Sequence, residues 1–162
     1  MKEIKLTRGK VAMVDDEDFE LVSKYKWHSE ITTHNCYAKN SIREKGEIKT
    51  TRMHGLIIGT HTGVIDHINR NGLDNRRINL RVVSVSDNIR NTPGKSITGM
   101  GFKGVYKQKG NKRFMAAICQ NGGKLLHLGL YVNPEDAARA YDTKAYSLYG
   151  GVAYLNFPRK TK

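Results

Sequence analysis

Residues 65–91 read IDHINRNGLDNRRINLRVVSVSDNIRN, and the alternation of apolar and polar groups there decides the fold of the first half of the chain. Val64 to Ile68 is short and β-branched, which predicts a strand whose alternation turns Asp66 and His67 to opposite faces. A polar loop from Asn69 to Ile78, containing Gly72, separates it from a second apolar strand, Leu80–Val83. Ser84 with Asp87 three positions later has the pattern of a capping box, so a helix opens there with Asn88 in its first turns. The unit is strand, long loop, strand, helix, and it brings the polar groups at its ends back together. Asn88 stands 22 residues beyond Asp66.

Phosphodiester hydrolysis needs such a set. A divalent cation offsets charge on the phosphate and the leaving oxygen, and an Asp carboxylate with an Asn carbonyl suits Mg²⁺. A histidine near neutral pKa can take a proton from the attacking water. An adjacent Asp and His serve both jobs only if the backbone aims them differently, which a strand does.

The whole segment resembles the HNH nuclease family, in the branch of intron-encoded and phage homing endonucleases. The matching elements are Met53-His54, Asp66-His67, Asp74-Asn75-Arg76, Asn79-Leu80-Arg81 and Asp87-Asn88. The resemblance implies a ββα-metal core at about 64–92, with His67 the general base and Asp66 and Asn88 the metal ligands. It makes Asn79 the asparagine that ties the catalytic loop together. Related nucleases often carry His where this chain has Asn88; losing that nitrogen ligand favours Mg²⁺ or Mn²⁺ over Zn²⁺. Arg76, Arg77, Arg81 and Arg90 surround the expected centre, and one or two of them are expected to clamp phosphates. His54 is either a neighbour of the site or a core-fastening helix residue, on a short helix expected over Met53–Ile58. His28, His34 and His61 read as surface or packing residues, and the run Asp15–Asp18 as a solvated acidic loop.

The second half has clearer local signals. Apolar segments near 101–108, 113–120 and 124–130, separated by Lys109-Gly110-Asn111-Lys112 and Asn121-Gly122-Gly123, predict a three-stranded antiparallel meander. A helix follows: Asn133 is a suitable N-cap, Pro134 fits its first position, Glu135 and Asp136 complement the dipole, and Gly150-Gly151 ends it. Over residues 97–158 this pattern resembles the AP2 DNA-binding domain, through GFKGVY (101–106), RFMAAI (113–118), Leu128-Gly129, EDAARAYD (135–142) and LNFP (155–158). That resemblance implies a sheet face in the major groove, with Lys103, Tyr106, Gln108, Arg113 and His127 as DNA contacts. Plant AP2 domains favour Arg and Trp at several of these positions, so their sequence preference does not carry over. Cys119 also stands where a basic contact is common.

The expected class is therefore α+β: residues 1–92 as N-terminal strands plus an HNH nuclease domain, a linker at 93–98, and an AP2-like domain at 99–159. The pairing is similar to free-standing HNH–AP2 endonucleases of phages and bacteria. Charge agrees. The chain has 28 Lys plus Arg against 15 Asp plus Glu, net +13, which favours a polyanionic partner, duplex DNA before an acidic membrane. The excess divides unevenly, +5 over residues 1–98 (17 basic, 12 acidic) and +8 over 99–162 (11 basic, 3 acidic). Met1–Lys10 has no apolar signal segment, no run approaches the ~20 apolar residues of a membrane span, and Cys36 and Cys119 stand far apart, so an intracellular, cytoplasmic protein with reduced thiols is expected. A monomer or homodimer fits, with one centre cutting one strand per visit. Two rival classes remain: a DNA-binding regulator with a vestigial HNH fold, and a ribosomal or RNA-packaging protein suited only by charge.

Overall fold

The computed structural model describes residues 1–44, 47–93, 101–107, 110, 112–120 and 123–158. The protein is mixed α+β, with small antiparallel sheets, and divides into two units, Met1–Asn88 and Ile89–Lys162. Most of the expected 93–98 linker lies outside the described residues. No helix among the described residues is long and apolar enough to cross a membrane.

In the first unit, β1 (Lys2–Lys5) and β2 (Val11–Val14) form a hairpin. Only the inward positions of these strands are apolar and buried, Ile4 on one and Ala12 and Val14 on the other. Helix α1 (Asp16–Ser23) follows, then a three-stranded antiparallel sheet of β3 (His28–Ile31), β4 (Cys36–Glu44) and β5 (Glu47–Arg52). Helix α2 (Met53–Ile58) leads into the hairpin of β6 (Val64–His67) and β7 (Leu80–Val83), and α3 (Val85–Asn91) comes after it, its last residues counted with the second unit. Ile4, Leu6, Ala12, Val14, Val22, Trp27, Ala38, Met53, Ile57 and Leu80 form one core. Trp27 lies in it because its indole N–H finds the Val22 carbonyl at 2.8 Å, which satisfies its one polar atom.

The acidic run departs from the sequence reading. It is not a solvated loop: Asp15 is the N-cap of α1, and Asp16, Glu17 and Asp18 form its first turn, where carboxylates complement the helix dipole. Asp18 is 3% exposed and paired with Arg77, whose Nε and Nη2 reach its two oxygens at 2.9 and 2.7 Å. Phe19 and Val22 supply the apolar side that docks the helix.

The N-terminal hairpin also holds the loop between β6 and β7. Met13 N–H donates to the Leu73 carbonyl and accepts from Asn75 N–H at its own carbonyl, both at 2.8 Å, making a parallel bridge to Asp74. On the loop's other side, Asn35 Oδ1 accepts from Gly72 N–H at 3.1 Å and Asn35 Nδ2 donates to the Arg70 carbonyl at 2.9 Å. A Cβ at Gly72 would lie 2.5 Å from both the Cys36 carbonyl oxygen and the Tyr37 ring, so the loop sits on β4 only because this position has no side chain.

In the second unit, β8 (Val105–Lys107), β9 (Phe114–Cys119) and β10 (Leu125–Tyr131) form an antiparallel meander. Helix α4 (Pro134–Tyr149) covers one face, with Ala137, Ala138, Tyr141 and Ala145 buried against Val105, Ala116 and Ile118. Small alanines allow the close approach, and Gly104, with φ +76°, lies against the Tyr141 ring where any Cβ would collide. The predicted strands and helix limits agree with this to within a few residues. The separator residues 108–109, 111 and 121–122 lie outside the described set. Asn133 occupies the N-cap without a side-chain cap bond; its Nδ2 instead donates to Asp136 Oδ2 at 3.2 Å.

Candidate active site and nucleic-acid interface

The β6–β7 register decides where the Asp66–His67 pair points. Asp66 faces Arg81 and His67 faces Leu80 across the hairpin, so the two side chains lie on opposite sides. Both are buried, at 7% and 4% exposure. On the Asp66 side, Arg81 donates Nε and Nη2 to Asp66 Oδ2 at 2.9 and 2.7 Å.

On the other side, His67 enters a small aromatic group. Its ring lies 5.0 Å from that of His54 and 5.9 Å from that of Tyr37, and Arg52 stacks its guanidinium over Tyr37 at 4.6 Å. His67 Nε2 is 3.5 Å from Asn75 Oδ1. Burial pushes the His67 pKa down, opposed by the Asn75 contact and by the negative charges of Asp66 and Asp74. Burial, with the neighbouring His67 and Arg52, pushes His54 down to about 3. Both imidazoles are thus held neutral, the form in which a histidine can accept a proton.

Asn79 is the knot of the loop. Its Oδ1 accepts from Asn69 N–H at 2.9 Å, and its Nδ2 donates to the Asp74 carbonyl at 2.7 Å. Its own backbone carbonyl takes Ile68 N–H at 2.9 Å, and its N–H reaches the Arg76 carbonyl at 2.9 Å. Asp74, 1% exposed, is gripped by Arg76 through two bonds of 2.7 Å and by Asn69 Nδ2 at 2.8 Å; the Arg76 pairing lowers its pKa. Asn88 is set in the first turn of α3, its N–H on the Ser84 carbonyl at 3.0 Å, while Ser84 Oγ receives Asp87 N–H at 3.1 Å.

The arginines expected to clamp phosphates have internal partners. Arg76 holds Asp74, Arg77 holds Asp18 and Glu17, and Arg81 holds Asp66. Arg90, in the second unit, lies over the Tyr149 ring at 4.4 Å. The sequence shows cations near the site but not the carboxylates that claim them. Lys103 differs from expectation in the same way: its Nζ donates to the carbonyls of Ile89, Arg90 and Thr92 at 3.2, 2.9 and 2.6 Å, satisfying the carboxyl end of a helix. Burial lowers its pKa to about 8. Sequence reasoning gave no role to Asn75, which is fully buried beside His67 with its Nδ2 unpartnered. The one signal was its place inside the Asp74-Asn75-Arg76 motif.

Oxygen donors of the Asp66 and Asn88 type suit a hard divalent cation. Among the described residues no three His, Cys, Asp or Glu gather, so a structural zinc cluster has no counterpart there.

On the second unit's sheet, register puts Tyr106, Met115 and Leu130 in one row, Ala117 and His127 in the next, and Cys119 and Leu125 in a third, all facing away from α4. Tyr106 and His127 thus share the open face. Arg113 is exposed one residue before β9, and Gln108 lies outside the described residues.

No profile of a known protein family matches the chain. An uncharacterized HNH endonuclease of Acanthamoeba polyphaga mimivirus is 30% identical over 151 residues, covering 92% of this chain and 76% of that protein. The chain belongs to the HNH endonuclease family. It is also similar to plant proteins of the AP2/ERF group. An ethylene-responsive transcription factor of Arabidopsis thaliana is 41% identical over 66 residues, 41% of this chain and 36% of that protein. The dehydration-responsive element-binding protein 2A of the same plant is 31% identical over 137 residues, 76% of this chain and 40% of that protein. The chain spans about a third of the length of the first plant relatives it matches, 36%, 31% and 29%.

Proposed function

We propose that the protein is a metal-dependent endonuclease acting on duplex DNA, with a ββα-metal HNH centre in the first unit and an AP2-like module in the second that anchors the duplex. The observation that carries this reading is the setting of His67: a buried, neutral imidazole against Asn75, on a hairpin whose loop Asn79 cross-links, with a carboxylate on the opposite face.

His67 takes the proton from the attacking water, and burial keeps it in the accepting form. Asn75 lies against one ring nitrogen and so fixes how the imidazole is turned. Asn79 keeps Asn69 and Asp74 at fixed spacing, so the loop does not drift as the substrate arrives. Asp66 and Asn88 would hold Mg²⁺ or Mn²⁺, and the cation would supply positive charge to offset that of the phosphate. Arg81, paired with Asp66, is placed to exchange partners as a cation or phosphate enters. One centre cuts one strand per visit, so a monomer nicks and a double-strand break needs a second copy or a second event.

The second reading is a DNA-binding regulator with a vestigial nuclease, favoured by the higher identity to plant transcription factors, 41% against 30%. Supercoiled plasmid with Mg²⁺ separates the two. Relaxed circles from the wild type, absent with EDTA and with His67→Ala, support the nuclease; sequence-selective binding without cleavage in Mg²⁺ or Mn²⁺ supports the regulator.

A further inference from the structure

The open face of the second unit's sheet is unusual for a surface meant to meet a polyanion. Met115, Leu130 and Leu125 lie on it beside Tyr106 and Cys119, with His127 and the buried Ala117 in the middle row. Leu125 is 56% exposed and Leu130 40%. The segment that carries it is cationic in sequence. Residues 101–131 contain six Lys or Arg and no Asp or Glu. The hydrophobic core of this unit is built on the other face, against α4, so these side chains are not needed to close it.

We propose that this face, on the reading that the sheet enters the major groove, selects DNA by its C5-methyl groups, with Met115, Leu130 and Leu125 packing against thymine methyls. The dimensions suit the groove. Three strands at about 4.8 Å spacing are about 10 Å across, and a B-DNA major groove is about 12 Å wide. Within the groove the thymine methyl is the apolar feature of the base edges, while phosphates line both walls. Apolar side chains on a segment that carries only positive charge complement that arrangement. A protein partner for an exposed apolar patch would not call for a segment cleared of every carboxylate. Arg113 at the rim and His127 in the middle row supply hydrogen-bond donors, so the face reads methyls together with purine acceptors.

The test uses the full chain, in EDTA, on mixed-sequence duplexes taken from selected binding sites, each made with thymine and with uracil at single positions. Burying one methyl contributes about fourfold in affinity, so binding falls about fourfold at each position where the sheet contacts a methyl. Leu130→Ser and Met115→Ala erase that difference without changing the slope of affinity with salt. Placing 5-methylcytosine at a neighbouring pyrimidine shifts affinity for the wild type and not for the variants. Equal affinity for thymine and uracil at every position overturns the methyl reading. If Leu130→Ser, Met115→Ala, Tyr106→Ala and Arg113→Ala all bind as wild type does, at unchanged thermal stability, the sheet is not the DNA face, and the reading beneath the inference fails instead. Leu125→Ser, at a position 56% exposed, guards against loss of folding in the Met115 variant.

Discussion

Replacing Asn79 by alanine removes two hydrogen bonds that no neighbouring group is placed to restore. The buried Asp74 carbonyl loses its donor at 2.7 Å, and Asn69 N–H, only partly buried, loses its acceptor at 2.9 Å. A buried polar group left unpaired costs about 1–3 kcal/mol, and a group that water can reach recovers part of that. The sum is roughly 2–4 kcal/mol, a large share of the 5–15 kcal/mol typical of a whole domain. The backbone bonds from Ile68 to Asn79 and from Asn79 to Arg76 survive, so the loop loosens without the hairpin coming apart. Asn79→Asp is the sharper probe. It keeps an acceptor for Asn69 N–H but sets a carboxylate oxygen against the Asp74 carbonyl, and it costs at least as much as alanine. Urea unfolding followed by the fluorescence of Trp27, the single tryptophan and a core residue of the same unit, reads the loss directly. DNA nicking falls further than global stability does, because the loop carries Asn75 to His67. A change below about 0.5 kcal/mol for both variants, within the range of ordinary surface substitutions, refutes the idea that Asn79 braces the loop.

Arg77→Ala leaves Asp18 buried and unpaired, at 4% side-chain exposure, and is expected to lower stability by about 1–3 kcal/mol, discounted because Arg77 itself is 47% exposed. The double variant Asp18→Leu/Arg77→Leu regains part of this in a thermal melt, whereas additive losses would contradict the pairing. Gly72→Ala forces Cβ against the Cys36 carbonyl and the Tyr37 ring, and an overpacking cost of about 1–3 kcal/mol follows; an unchanged melting temperature would show that the loop does not sit on β4. His54, held to about 3 when folded against 6.5 when free, is protonated first in the unfolded chain. Stability therefore falls as pH drops from 6.5 toward 3, by up to about 1.4 kcal/mol per pH unit. His54→Gln flattens the upper part of that slope, above the carboxylate range, and an identical slope in both proteins would contradict the buried neutral imidazole.

Features set by neighbours in the chain were legible in the sequence. Ser84 and Asp87 open α3 through their own hydrogen bonds, Pro134 starts α4, and Gly150 ends it with φ +55°. The strand alternation that separates Asp66 from His67 is likewise a property of four consecutive residues. What could not be read was the choice among distant partners. Asp15–Asp18 has the composition of a solvated loop; it becomes a helix start with a buried carboxylate because Arg77, 59 positions away from Asp18, lands on it. Lys103 has the look of a DNA contact until three carbonyls at the end of a helix claim its ammonium. The bridge from Met13 to Asp74 gives the N-terminal hairpin a task, holding the loop between β6 and β7, that no local pattern marks. Charged side chains near a site are visible in a sequence; whether they are spent on one another is settled by packing.

The decisive measurement is the rate and chemistry of cutting on an end-labelled duplex in Mg²⁺, with wild type beside His67→Ala. Nicks bearing 3′-hydroxyl and 5′-phosphate ends, slowed about 10²–10⁴-fold by the substitution as expected for loss of a general base, are the predicted result. Equal rates in the two proteins, or no cutting by either while both bind the duplex, would contradict the assignment of this chain as a nuclease acting through His67.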